Sequence, residues 1–202
     1  MRNTVYLMVF DGFADWQVAL ALCEIRRPGD WQVRVAGLSM ATVVSASGLT
    51  VQPDIPLARI DPRSTAMLIV PGGQRWQRDE GGAVVMAIRR LHAAGAPVAA
   101  IGGGVLALAR SGLLDHRRHT GNGVGWIDDH VPAYAGTDQY DAGVLAVSDE
   151  GVTSASHLGS VEFAREVIRT LDLYDATDRE HWYRLFKHAE LPPWCLGEVL
   201  AA

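Results

Sequence analysis

Residues 97–109 run from an apolar stretch into three consecutive glycines, Gly102-Gly103-Gly104, and on into a helical pattern. A strand that turns sharply into a helix crowds its backbone and needs small residues there. The turn also aims free N–H groups of the helix start at whatever lies above it, which suits an anion or a developing oxyanion. Where such an elbow does covalent chemistry, a serine or cysteine stands at its apex. Here the apex residue is Gly102, so no side chain is present to attack.

The same glycines fit G-x-G-x-x-A through Gly102, Gly104 and Ala107. A dinucleotide fingerprint of this kind follows a first strand and has an acidic residue about 20 positions further on. Neither condition holds, so a packing turn outranks nucleotide or phosphate binding, and no cofactor is expected. His157, in Ser154-Ala155-Ser156-His157, precedes an amphipathic pattern; a neutral imidazole there can exchange a proton with a ligand, or simply face solvent at a helix start. Asp11 and Asp15 flank the loop after the first apolar stretch. Asp15 is a candidate acid, and either residue can instead shape a turn or cap a helix. Trp76 and Trp126 fall in loops and either wall a pocket or close the core or a subunit interface. Cys23 shares a helical stripe with Trp16, Ala19 and Leu20, so it is expected to be a buried, inert thiol. Cys195, after Pro192-Pro193-Trp194, is expected to pack or hang near the terminus. No H-x-x-x-H, C-x-x-C or paired histidine–carboxylate spacing occurs, so no metal is expected.

The elements that must position these residues follow from periodicity. Strands are expected at Thr4–Phe10, Trp31–Leu38, Ala66–Val70, Pro97–Ile101 and Gly151–Ser154, with a hairpin and loop over 45–57. Helices are expected at Trp16–Ile25, Gly82–Ala94, Val105–Ser111, Leu158–Leu171 and Asp178–His188. Residues 115–150 read as irregular. Strands alternating with helices imply right-handed crossovers and a mainly parallel sheet covered on both faces, a flavodoxin-like α/β sandwich in a single domain over 1–202. Ligands of such sheets sit at the carboxyl ends of the strands. Residues 11–17, 71–76 and 102–105 should therefore meet.

Composition narrows the partners. The chain has 202 residues, 49% of them apolar and 20% charged, with a formal net charge of −5. These values suit a globular domain, and the charge gives neither a nucleic acid nor an anionic membrane much to hold. Two distant cysteines are no disulfide framework, and a reducing cytoplasm is the simplest setting. Asp11 and Asp15 interrupt the N-terminal apolar run, so no signal peptide is expected.

Several segments in order resemble the ThiJ/PfpI superfamily, with its class I glutamine-amidotransferase-like fold: VFDGFADWQ (9–17), SGLTVQPD (47–54), LIVPGG (68–73), VAAIGGGVLALARSGLLD (98–115), RHTGN (118–122) and VTSASHLGSVEFAREVI (152–168). The closing LDLYDATDREHWYRLFK (171–187) resembles a bacterial branch of it. The resemblance implies a reactive cysteine at the position of Gly102, and a partner acid at that of Gln17. It also implies that His119 lies near the pocket, as a ligand-binding or a structural residue, and that the protein is a homodimer. A protein lacking both catalytic partners is expected to act as a pseudoenzyme. It would bind a small carbonyl- or carboxylate-bearing molecule at a pocket formed by Gln17, Gly72, Gly73, Gly102, Gly103, Trp76 and Trp126, with the Gly72, Gly73 and Gly103 amides as oxyanion donors. The alternative is a hydratase, isomerase or lyase that uses His157, His119 or Asp15 as a non-covalent acid or base.

Overall fold

The six residues Thr65–Val70 are all buried, which is the signature of a strand flanked on both sides and covered on both faces. In the computed structural model, which describes residues 2–78, 81–123 and 125–192, this strand sits at the middle of a seven-stranded sheet. In chain order the elements are β1 (Thr4–Val9), α1 (Asp15–Arg26), β2 (Gln32–Gly37), β3 (Val43–Val44), β4 (Thr50–Val51), β5 (Ile55–Pro56), β6 (Thr65–Val70), α2 (Gly82–Ala93), β7 (Val98–Ile101), α3 (Val105–Arg110), α4 (Trp126–His130), β8 (Ala146–Asp149), β9 (Val152–Ala155), α5 (Ser160–Thr170) and α6 (Ala176–His188). The sheet order is β5-β2-β1-β6-β7-β9-β8, parallel except for the β8–β9 pair. Helices α1 and α5 pack together, as do α2 and α3, giving the expected α/β sandwich. Among the described residues no helix is long and apolar enough to cross a membrane.

The chain leaves β1 toward β2 and returns to the other side of β1 as β6. Such a reversal opens a crevice at the carboxyl ends of the strands. The segments after β1, β6 and β7 meet there.

Three expectations need correction. The buried face of α1 is Gln17, Val18, Ala21, Glu24 and Ile25, whereas Trp16, Ala19 and Cys23 are exposed. Two buried positions are polar, and each is satisfied: Gln17 by the Gly72 amide, Glu24 by Arg27 and Tyr174. Counting apolar residues therefore rotated the helix the wrong way. The stretch 115–150, expected to be irregular, contains a strand, β8; four residues (AVSD) at a sheet edge, only one of them buried, carry almost no periodic signal. The short hairpin pairs Val43–Val44 with Thr50–Val51 and so begins earlier than expected. Cys195 lies outside the described residues.

Candidate functional site

The elbow is built by close backbone approach. A Cβ on Gly104 would come within 2.5 Å of the Val70 carbonyl oxygen and 2.8 Å of that of Pro71, so only glycine lets α3 start this near the end of β6. Gly102 has φ +58°, the left-handed conformation that a catalytic elbow residue endures and that glycine adopts without strain. The loop after β6 is clamped to the first helix, since Ala14 N–H donates to Gly72 O at 2.9 Å.

Gln17 lies between these loops and is 4% exposed. Its Oε1 accepts the Gly72 N–H at 2.9 Å. Its Nε2 lies 2.7 Å from where a Cβ on Gly102 would stand. Nε2 makes no hydrogen bond within the described residues and is not among the fully buried orphan atoms. The Gly72 amide, expected to be an oxyanion donor, is thus already taken by the protein's own side chain. A polar residue at a helix position facing the sheet was the only hint of this in the sequence.

Trp76 is fully buried; its indole N–H donates to Pro71 O at 2.9 Å and its ring meets Phe10 edge-on at 5.1 Å. It also lies under Gly103, whose Cβ would be 3.1 Å from Trp76 Cδ1 and 3.0 Å from Gly73 O. Trp76 therefore supports the elbow from beneath, while half-buried Trp126 meets His130 with its ring tilted by 44° at 5.0 Å between centroids. On the outer side of Gly73 a cavity of about 580 Å³ is lined by Asp11, Gly12, Ala14, Ala46, Gly73, Gln74, Arg75 and Arg78. Arg75 and Arg78 were missed in the sequence. Their signal was two arginines three apart just after Pro71-Gly72-Gly73.

The other titratable candidates are held elsewhere. His119 is 1% exposed. Its Nδ1 lies 2.7 Å from Arg117 O, which only accepts, so Nδ1 carries the proton and Nε2 accepts from the Tyr134 hydroxyl. Burial lowers the His119 pKa and raises that of Tyr134. Both ring nitrogens are occupied and the ring is neutral. His157 is exposed, with its N–H and Nδ1 at 3.0 and 3.1 Å from Asn122 Oδ1. Asp15 binds the hydroxyl and the amide of Ser47; burial raises its pKa, but these bonds outweigh it and hold the carboxyl below its usual range. Asp11 Oδ1 accepts from Val44 N–H at 2.9 Å. Among the described residues no group of three or more His, Cys, Asp or Glu side chains is placed to hold a metal ion.

The family model for the DJ-1/PfpI family matches residues 3–170, most of the chain. The chain belongs to the DJ-1/PfpI family. Similar proteins include the uncharacterized protease YoaZ of Bacillus subtilis, 33% identical over 91% of this chain and 90% of that one. A deglycase of Pyrococcus horikoshii is 26% identical over 83% of this chain and 98% of its own length. Among solved structures, a thiJ/pfpI family protein from Bacillus anthracis superposes with a TM-score of 0.87 at 30% identity, covering 94% of this chain and 93% of that one. The family model ends at Thr170, so α6 lies beyond it.

Proposed function

We propose that this DJ-1/PfpI family protein binds a small carbonyl- or carboxylate-bearing molecule at the elbow and does not form a covalent intermediate with it. The observation that carries this reading is the Gln17 carboxamide: nearly buried, tied down by Gly72, and presenting over Gly102 an N–H donor that has no partner among the described residues. A carbonyl or carboxylate oxygen placed there would accept from Nε2. In the family pattern a cysteine takes the place of Gly102 and an acid that of Gln17; here a glycine offers no nucleophile, and a carboxamide offers a donor that does not titrate. The hydrolytic activity suggested by the relatives' names, protease and deglycase, would need a group that this elbow lacks. The acid–base alternative draws no support, because among the described residues no hydrogen bond links the side chains of His157, His119 or Asp15 to Gln17, Gly72 or Gly102.

The test is a titration with methyl propyl ketone, followed through the side-chain amide resonance of Gln17 by NMR and through intact mass. The expected result is a saturable shift of that resonance with no added mass, and loss of ketone binding in Gln17→Ala when followed by calorimetry. A covalent adduct or a thiol-dependent burst that persists in a Cys23→Ser variant would overturn the reading. So would an unshifted resonance.

A further inference from the structure

Resting on that reading, we infer that Asp15 is a positioning residue: by fastening the β3–β4 hairpin to the start of α1, it sets where the Gln17 carboxamide stands over the elbow. The hairpin has little of its own to hold it. Val43–Val44 pairs with Thr50–Val51 in a sheet separate from the seven-stranded one. Within its turn, Ser45 N–H donates to Leu49 O at 2.9 Å and Leu49 N–H donates to Ser45 Oγ at 3.0 Å. A two-stranded hairpin alone is marginally stable at best in water.

Its ties run to residues 11–15. Gly12 N–H donates to Val44 O at 2.7 Å, and Ala46 N–H to Phe13 O at 2.8 Å. Val44 N–H donates to Asp11 Oδ1 at 2.9 Å. Asp15 closes the join with both carboxylate oxygens: Oδ1 accepts the Ser47 N–H at 3.2 Å, and Oδ2 accepts the Ser47 hydroxyl. These two bonds are charge-assisted, the stronger kind. Ser45 Oγ lies 3.3 Å from Ser47 Oγ and backs the same contact. The segment reaches the elbow on its other side. Ala14 N–H donates to Gly72 O at 2.9 Å, and Gln17 N–H to Ala14 O at 3.2 Å. Gln17 Oε1 then accepts the Gly72 N–H. Residues 11–17 are thus a bridge with the hairpin on one side and Gly72 on the other. Ala14, at the N-cap position of α1, makes no side-chain cap bond. The Asp15–Ser47 contact therefore does what a cap would do, fixing where the helix begins. A carboxamide held two residues further on has less freedom to lose when a ligand binds.

Ser47→Ala tests this without touching α1, since it removes only a hydroxyl from an exposed side chain. Hydrogen exchange and calorimetric titration with methyl propyl ketone, both on the full chain, read the two ends of the bridge. In Ser47→Ala, and more strongly in Asp15→Ala, the amides of Val44, Ala46 and Ser47 should exchange about tenfold faster, the scale of one charge-assisted bond. The amides of Ala14 and Gly72 should speed up with them, while those of β6 and β7 stay protected. Ketone affinity should fall about threefold or more as the preorganisation of Gln17 is lost. Ser47→Thr keeps a hydroxyl and should restore both readouts. Faster exchange confined to the hairpin, with the Gly72 amide and ketone affinity unchanged, would overturn the assignment, because Asp15 would then hold the hairpin and nothing more. Acceleration reaching β6 and β7 equally, or no change in hairpin exchange, would overturn it too. Failure of the ketone to bind the wild type would remove the elbow reading; the response of the Gly72 amide to Ser47→Ala would still decide whether Asp15 places Gln17.

Discussion

The Gln17 carboxamide bridges two loops: Oε1 takes the Gly72 N–H at 2.9 Å, and Nε2 faces Gly102 across a gap too narrow for a Cβ. The same group is thus a structural tie on one side and a donor on the other. Changes that separate these two roles are informative.

Gln17→Ala removes the acceptor of a buried backbone amide and should cost about 1–3 kcal/mol in chemical denaturation. Gln17→Glu keeps an acceptor for Gly72 and the same shape, so it should cost less than the alanine variant near neutral pH. It replaces the donor with a carboxylate, however, and should abolish binding of methyl propyl ketone. Wild-type ketone affinity in Gln17→Glu would show that the Nε2 donor is not what holds the ligand.

Gly102 tests the tightness of the same contact. Gly102→Ala forces an L side chain into left-handed backbone, at about 1–2 kcal/mol, and presses its Cβ against Gln17. Adding Gln17→Ala should relieve the second part alone. The double variant should therefore be more stable than the sum of the single effects, with a coupling of about 0.5 kcal/mol or more. Strict additivity would mean that the two residues do not press on each other.

His119 should respond to pH. Burial holds its folded pKa below the ordinary 6.5, so on acidification the unfolded chain takes up a proton before the folded one does. Its contribution to stability is complete above about pH 6.5 and declines as pH falls toward the folded value. His119→Gln can still donate to Arg117 O and accept from Tyr134, but does not titrate. Its unfolding free energy should fall less steeply than that of the wild type between about pH 6.5 and 5. Parallel curves for the two proteins would rule out this source of acid sensitivity.

What the sequence allowed to be read depended on which signal was physical and local. The parallel sheet was legible because Thr4–Val9, Thr65–Val70 and Val98–Ile101 are nearly pure apolar runs ending in glycine or turn residues. The meeting of three loops at the strand ends followed from strand–helix alternation and from the place where such sheets bind ligands. The Gly102–Gly104 elbow was legible because three consecutive glycines mark a sharp strand-to-helix turn, and at Gly104 a Cβ would meet the Val70 carbonyl oxygen at 2.5 Å. The side of α1 that faces inward was not. Gln17 and Glu24 are buried because of partners 55 and 150 residues away, Gly72 and Tyr174, and no local periodicity encodes such distant satisfaction. Arg75 and Arg78 escaped notice because a short 3₁₀ turn has no amphipathic pattern to reveal what it lines.

Glu24 makes the last of these distant contacts measurable. It is 1% exposed, takes a bidentate pair of bonds from Arg27 at 2.7 and 2.8 Å, and accepts from the Tyr174 hydroxyl at 2.8 Å. Burial alone would raise its pKa, but the bonds from Arg27 and Tyr174 outweigh it, and the carboxyl is held below 4.5. The Tyr174 phenol is pushed up to about 12, chiefly by burial and then by this carboxylate. Because the folded pKa is depressed, the contribution is present above about pH 4.5 and lost as pH falls through the lower folded value. Arg27 is largely exposed, so solvent screens the pair, and Glu24→Gln should cost only about 1–2 kcal/mol at pH 7. Glu24→Ala should cost more, about 2–3 kcal/mol, because the Tyr174 hydroxyl loses its partner as well. Since Tyr174 leads into α6, hydrogen exchange in Ala176–His188 should speed up in Glu24→Ala while the amides of β6 and β7 stay protected. Uniform acceleration across the sheet would show that Glu24 supports the whole fold rather than the docking of its last helix.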